Sequence, residues 1–385
     1  MNLLIINLDK GIFSKNSSSL NRLKEYSQLV DKLFVIVWTK ERYKIINFAD
    51  KLFVYPTNSK NKLQYYFDTF KIFKKIKADH KIDLLFTQDP FETGLAGWFL
   101  KKIYKLPLQL HVHTDFFSRF FRQESLLNRI RFWLANLLIP KADAIRVVSQ
   151  RLKEQLVDDF GVAQEKITVV PIYTEVKSYK VHKVKGQNDK FIFLTVGRLV
   201  GVKNIEMQIR AIKEVVEEYK NVELWIVGEG KEDKKLEVET HGNASVRFLG
   251  WQNNLEKFYG QADAFLLTSN YEGWGMAVIE AASFGLPIIM TDVGCAGEVI
   301  KGFEHATIPL SGSVHSNENK EASGIVIPVG GQKELEAAMR KIVEDKDLRE
   351  NLGSNAKKAI EKLPSKEETL RLYKESWEKA VSINN

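Results

Sequence analysis

Residues 271–287 read YEGWGMAVIEAASFGLP, and the fold turns on this stretch. Glu272, Gly273 and Gly275 have loop composition. Met276 to Phe284 has that of a helix, which Gly285 closes and Pro287 keeps from continuing. A helix that opens in this way offers unpaired backbone N–H groups and the positive end of a dipole, a setting suited to an anion such as phosphate. The glycines let the anion approach the backbone closely. Glu280 comes eight residues after Glu272, about two helical turns, so both carboxylates can point to one side. Solvated acids are the ordinary outcome for glutamates, but Glu280 is set in the apolar run Met276 to Ala282. The strand-like segment Asp263 to Thr268 places the loop at the carboxyl end of a strand, where open α/β sheets bind ligands.

Outward from this stretch the chain alternates short apolar strands with longer helical segments. Strands are expected at Leu3–Leu8, Leu33–Val37, Leu52–Tyr55, Leu84–Thr87, Leu108–Val112, Ala144–Val148 and Ile167–Val170. Others are expected at Phe191–Val196 and Val222–Val227. This pattern predicts parallel sheets covered on both faces. The polar, basic run 176–190, with Gly186, marks a boundary between residues 1–175 and 176–365, followed by a last amphipathic helix within 366–385.

Several turns follow strands. Asp9-Lys10-Gly11 follows the first, and Ser17, Ser18 and Ser19 supply candidate N-caps for a helix near Leu20. His111 and His113 share a face at the end of another strand. In the second half, Gly197-Arg198-Leu199-Val200-Gly201-Val202-Lys203-Asn204 is a glycine-bearing turn before a helix, with two cations for an anion. Gly228-Glu229-Gly230 lacks the third glycine of a dinucleotide fingerprint, since Asp233 stands there, which argues against a dehydrogenase.

The 271–287 stretch resembles the signature of retaining glycosyltransferase family 4, the group 1 glycosyltransferases, in which two glutamates flank a glycine-rich turn. TVGRLVGVKN resembles that family's diphosphate-binding element, and Asp292 to Glu298 its later glycine-rich turn, with Cys295 at a glycine position. The resemblance implies an α/β fold of GT-B architecture, two Rossmann-like parallel-sheet domains facing a cleft. Residues 1–175 would form the acceptor-side domain and 176–365 the nucleotide-sugar domain. The helix in 366–385 would cross back to the first domain, with Trp377 as an anchor. It further implies that Arg198 and Lys203 hold the diphosphate together with the backbone N–H groups of Gly275, Met276 and Ala277. Glu280 would bind the ribose, and Glu272 would hold hydroxyls of the transferred sugar and stand nearest a nucleophile role. His113, with His111 as the alternative, would line the cleft near that sugar. The turn at Gly11 retains only one of the family's two glycines. Trp251, after Phe248-Leu249-Gly250, would lie by the base or pack in the core.

Composition bounds the rest. The 385 residues suit two domains, and 44% hydrophobic with 28% charged residues is globular. One cysteine, Cys295, allows no internal disulfide and reads as structural, and no His/Cys cluster has metal-ligand spacing. The first residues read as a strand rather than a leader, and no apolar run approaches the length of a membrane span. Residues 1–175 hold 28 Lys and Arg against 18 Asp and Glu, a charge of +10, which leaves −2 for the remainder. The basic half suggests an anionic partner, a membrane or nucleic acid. Leu126, Leu127, Ile130, Trp133, Leu134, Leu137 and Leu138 form a helical stripe, expected to pack on the core. Phe116, Phe117, Phe120, Phe121 and Phe132 among arginines, and the aromatics of Lys60 to Lys77 among lysines, suggest a peripheral contact with an anionic membrane. No nucleic-acid module motif appears.

The reading is a cytoplasmic retaining glycosyltransferase, peripheral on the inner face of the plasma membrane if that contact forms. Its donor would be a nucleoside-diphosphate sugar, UDP- or GDP-linked, with no obligatory cofactor or metal. Its acceptor would be a glycan or lipid-linked glycan of bacterial polysaccharide or glycolipid assembly. The alternatives are a sugar-nucleotide epimerase or phosphorylase of the same architecture, and a non-catalytic sugar-nucleotide-binding protein.

Overall fold

The computed structural model describes residues 1–14, 17–174, 190–240, 242–302 and 321–383. The chain divides into two compact units, Met1–Tyr173 with Pro364–Asn385, and Thr174–Leu363. Apart from Lys190, the polar boundary run lies outside the described residues.

The first unit runs β1 (Asn2–Asn7), α1 (Ser18–Ser27), β2 (Lys32–Val37), β3 (Ile46–Phe48), β4 (Leu52–Pro56), α2 (Gln64–Asp79) and β5 (Leu84–Thr87). It continues α3 (Glu92–Tyr104), β6 (Leu108–Val112), α4 (Arg119–Glu124), α5 (Leu126–Leu138), β7 (Ala144–Val147), α6 (Gln150–Phe160) and β8 (Ile167–Val169). The second unit runs β9 (Phe191–Val196), α7 (Ile205–Glu218), β10 (Val222–Val227), α8 (Asp233–Glu239), β11 (Val246–Phe248) and α9 (Glu256–Tyr259). It continues β12 (Ala264–Leu267), α10 (Met276–Ser283), β13 (Ile288–Thr291), β14 (Ile325–Ile327), α11 (Gln332–Glu344) and α12 (Lys346–Ile360). The last helix, α13 (Lys366–Ser382), belongs to the first unit.

The first sheet has the order β3-β4-β2-β1-β5-β6-β7-β8 and the second β11-β10-β9-β12-β13-β14. All pairings are parallel except β3 with β4, where β3 is an exposed edge strand that the sequence pattern does not mark. The short apolar strands are buried on both faces, as parallel strands sheathed by helices must be. Each sheet reverses its winding once, between β1 and β5 and between β9 and β12. Such a reversal opens a crevice at the carboxyl ends of the two strands.

Serines set the helix starts. Ser17 accepts from Leu20 N–H at α1, Ser149 from Leu152 N–H at α6, and Ser365 closes a reciprocal cap with Glu368 at α13. Helix α13 is held by Trp377, which is fully buried, stacks on Phe86 and meets Tyr26 edge-on. Gly285 adopts a φ of +72°, and a Cβ on Gly353 of α12 would stand 2.0 Å from its carbonyl oxygen. The end of α10 therefore depends on two glycines in contact.

Candidate functional site

In the second unit the crevice is built by the turn after β9 and the turn after β12. The two turns are hydrogen-bonded to each other. Asn270 N–H donates to the Val202 carbonyl at 2.7 Å, and Thr268 Oγ1 donates to the Lys203 carbonyl at 3.0 Å. Gln208 of α7 is fully buried and donates to Thr268 Oγ1 at 2.8 Å, bracing the same point. On this frame the Lys203 ammonium is ion-paired with the Glu272 carboxylate, which also accepts from Ser269 Oγ at 2.8 Å. The pair is mostly shielded, with 21% and 15% of the two side chains exposed. Arg198 is exposed and makes no side-chain hydrogen bond or ion pair among the described residues.

Gly275 is the N-cap of α10 with a φ of +98°, and no side chain caps the helix. The N–H groups at its start, Met276 and Ala277 among them, are thus left for a ligand, as the first turn of a helix supplies no partner for them. Glu272 precedes the helix, in the loop as its composition predicts, and is held there by Lys203 and Ser269. Glu280, one turn into α10, accepts from Tyr259 Oη at 2.8 Å. Burial pushes the Glu280 carboxyl above its ordinary range, and the Tyr259 bond opposes the shift.

The neighbouring turns fit too closely for side chains. A Cβ on Gly294 would lie 2.5 Å from the Trp274 carbonyl oxygen, and one on Gly228 1.9 Å from that of Gly197. Cys295 is fully buried and its N–H donates to the Trp274 carbonyl at 2.8 Å, in keeping with a structural thiol. The Gly228-Glu229-Gly230 turn thus presses on the Arg198 turn, and its glycines allow that close packing. Gly228 also has a φ of +137°. Gly228→Ala is expected to destabilise the second unit by about 3 kcal/mol or more. Urea unfolding followed at the tryptophans checks this. Trp251 is 60% exposed, which removes core packing as its role. Its N–H donates to Glu229 Oε1 at 3.1 Å, fixing it beside that turn.

In the first unit, a pocket of about 330 Å³ opens at the reversal between β1 and β5. Asn7, Asp9, Ser19, Arg22, Gln88, His111, His113 and Tyr373 are among its lining residues. Gly11 is not among them, and its N–H is already engaged by Asp9 Oδ1 at 2.8 Å. His111 and His113 are brought together, with ring centroids 5.8 Å apart. His111 contacts Gln109 Oε1 at 3.0 Å and stacks on Phe86. His113 Nδ1 meets the Arg146 guanidinium at 3.2 Å. Burial, then the positive charge of Arg146, hold both rings well below the usual histidine range, so both are neutral at pH 7. Arg146 and Tyr259 escaped the sequence reading. Arg146 is the one charged residue of the apolar strand Ala144–Val147, and Tyr259 follows Phe258 in a mostly polar stretch; only the fold aims each at its neighbour.

The face of α5 is the main correction. Leu126, Leu127, Ile130 and Trp133, expected in the core, are 74%, 44%, 55% and 62% exposed. Leu138 of the same stripe is buried as expected, and Leu134 and Leu137 are partly buried, while Asn128 and Ala135 take the remaining inward positions. The phenylalanines take the inner volume. Phe116 and Phe121 are buried against Phe91, and Phe132 is partly covered beneath Arg122. Likewise Tyr65 and Phe73 of α2 are buried, whereas Leu63 and Phe67 are exposed. Among the described residues no helix is long and apolar enough to cross a membrane.

Residues 179–359 match the glycosyl transferases group 1 family, and residues 32–172 match Glycosyltransferase Family 4. The chain belongs to the group 1 glycosyltransferases. It is 29% identical over 299 residues to the uncharacterized glycosyltransferase MJ1059 of Methanocaldococcus jannaschii, covering 70% of this chain and 71% of that one. It is 25% identical over 295 residues to UDP-Gal:alpha-D-GlcNAc-diphosphoundecaprenol alpha-1,3-galactosyltransferase of Escherichia coli, covering 70% and 75%. Sucrose-phosphate synthase from Thermosynechococcus elongatus superposes with a TM-score of 0.76 at 16% identity, over 97% of this chain and 99% of that one. That likeness establishes the GT-B fold.

Proposed function

We propose that the protein is a retaining glycosyltransferase that moves a sugar from a nucleoside-diphosphate sugar to a glycan or lipid-linked acceptor, in bacterial polysaccharide or glycolipid assembly. The observation that carries this reading is the Lys203–Glu272 pair set beside the uncapped start of α10. Lys203, Arg198 and the N–H groups of Gly275, Met276 and Ala277 would take the diphosphate as its negative charge grows on leaving. Glu272 would bind hydroxyls of the transferred sugar, and Glu280 the ribose. These cations would do the work of a divalent ion, so the reading requires no metal. A UDP-sugar is favoured over a GDP-sugar, supported by the donor named for the Escherichia coli relative, whose name also gives a lipid diphosphate acceptor. The exposed stripe of α5 supports a contact of the first unit with an anionic membrane surface.

A thermal-shift panel of UDP-, GDP-, ADP- and TDP-sugars tests the donor site. One base is expected to raise the melting temperature by mass action. No stabilisation at saturating concentration would overturn the assignment. Glu280→Gln is expected to separate stability from binding. The Glu280 pKa is raised in the folded state, so its contribution to stability falls as pH climbs from the unfolded carboxyl value through the folded one. The glutamine variant carries no such penalty. At neutral pH it should melt at or above the wild type, by about 1–4 °C, with the gap closing towards pH 4. The donor-induced shift should shrink in the same variant. A fall in melting temperature at neutral pH would overturn the stability argument.

A further inference from the structure

We propose that Arg146 is a positioning residue that holds His113 as the neutral tautomer with its hydrogen on Nε2, so that His113 acts as a hydrogen-bond donor rather than as a base. The inference rests on the reading of His113 as a residue of the sugar-transfer site. Arg146 lies in β7 and is fully buried. One of its nitrogens donates to the Val170 carbonyl, and its guanidinium lies 4.8 Å from the centre of the Tyr373 ring on α13. A second nitrogen stands 3.2 Å from His113 Nδ1. A guanidinium has donors only and keeps its proton at any accessible pH. In that contact Nδ1 must therefore accept, and a neutral ring then carries its hydrogen on Nε2.

A second ring proton is disfavoured by burial and by the charges of Arg146 and Arg22, and His111 beside it is held neutral as well. Asp9, Ser19, Tyr26 and Tyr373 line the same pocket, and none of them hydrogen-bonds to the ring nitrogens. His113 Nε2 is shielded from solvent and has no partner among the described residues. A shielded N–H without a partner is costly, and an entering oxygen acceptor relieves it. The group it awaits is a hydroxyl or phosphate oxygen. Arg146 is tied to the Val170 carbonyl and the Tyr373 ring, so the last helix of the chain takes part in orienting His113.

Nitrogen-15 histidine spectra of the full chain test the assignment. There are seven histidines, and the His113 signal is identified by its absence in His113→Gln. The wild type is expected to show a protonated Nε2 and a bare Nδ1 from about pH 5.5 to 8.5, with no titration near the ordinary histidine value. Arg146→Met should abolish the tautomer preference and restore titration, whereas Arg146→Lys, which still donates, should retain it. A hydrogen on Nδ1 in the wild type would overturn the proposal even if Arg146→Met failed to fold, as would an unchanged spectrum in that variant. His113→Gln keeps a donor and should retain transfer within about tenfold, whereas His113→Phe should lose about 10²-fold or more. Full transfer by His113→Phe, with the tautomer as assigned, would instead sink the placing of His113 at the transfer site and leave the role of Arg146 standing.

Discussion

Lys203→Met and Glu272→Gln are each expected to lower kcat/KM by about 10²–10³, and the double variant is expected to fall little further. The two side chains are one unit. They are ion-paired, mostly shielded, and set by turns from β9 and β12 that hydrogen-bond to each other. Removing the ammonium leaves the carboxylate with Ser269 alone and frees it to turn from the position proposed for holding the sugar. Removing the carboxylate charge lets the ammonium drift from the proposed diphosphate site. Losses at groups that act together do not add. The measurement is release of nucleoside diphosphate from whichever donor stabilises the protein, which needs no knowledge of the acceptor. Losses that multiply in the double variant would show two independent roles. A wild-type rate in either single variant would remove that residue from the site.

Replacing Ile130 and Trp133 together by aspartate is expected to abolish sedimentation with vesicles rich in anionic lipid at low salt, a loss of about 10²-fold or more in partitioning. Both side chains are more than half exposed, so the change should leave the melting temperature within about 2 °C. Arg119, Arg122 and Arg129 lie close by in sequence and are exposed, as are Lys71, Lys74, Lys75 and Lys77 of α2. Helix α3 packs against both α2 and α5, and its own Phe99 and Ile103 are exposed. An apolar stripe flanked by cations binds an anionic interface by burial and by charge, and salt weakens only the second. Binding should therefore decline with salt in the wild type. If the wild type stayed in the supernatant at low salt, the membrane contact would fall with it.

How much of this was legible beforehand differs from element to element. Strands such as Leu84–Thr87, Leu108–Val112, Phe191–Val196 and Val222–Val227 agree with their observed bounds, because a strand buried on both faces is written as an apolar run between turn residues. The start of α10 and its closure at Gly285 were equally readable, since a positive φ after a helix calls for glycine. Ile46–Phe48 was not, because an exposed edge strand need not be apolar. The α5 stripe misled for a related reason. Periodicity states that a helix has an apolar face, and it does not state what covers that face.

Local order in the chain determined the alternation of strands and helices, the glycine turns after β9 and β12, the cations and carboxylates carried on them, and the excess of positive charge in the first half. These depend on backbone preference and composition, which act over a few residues. Tertiary structure alone decided that Lys203 engages Glu272, that Tyr259 holds Glu280, that Arg146 addresses Nδ1 of His113, and that Trp133 faces outward while Phe116 is buried. Those partners are separated by 69, 21 and 33 positions. Their meeting is set by the winding reversals of the two sheets and by competition among side chains for a limited interior, neither of which leaves a periodic trace in the sequence.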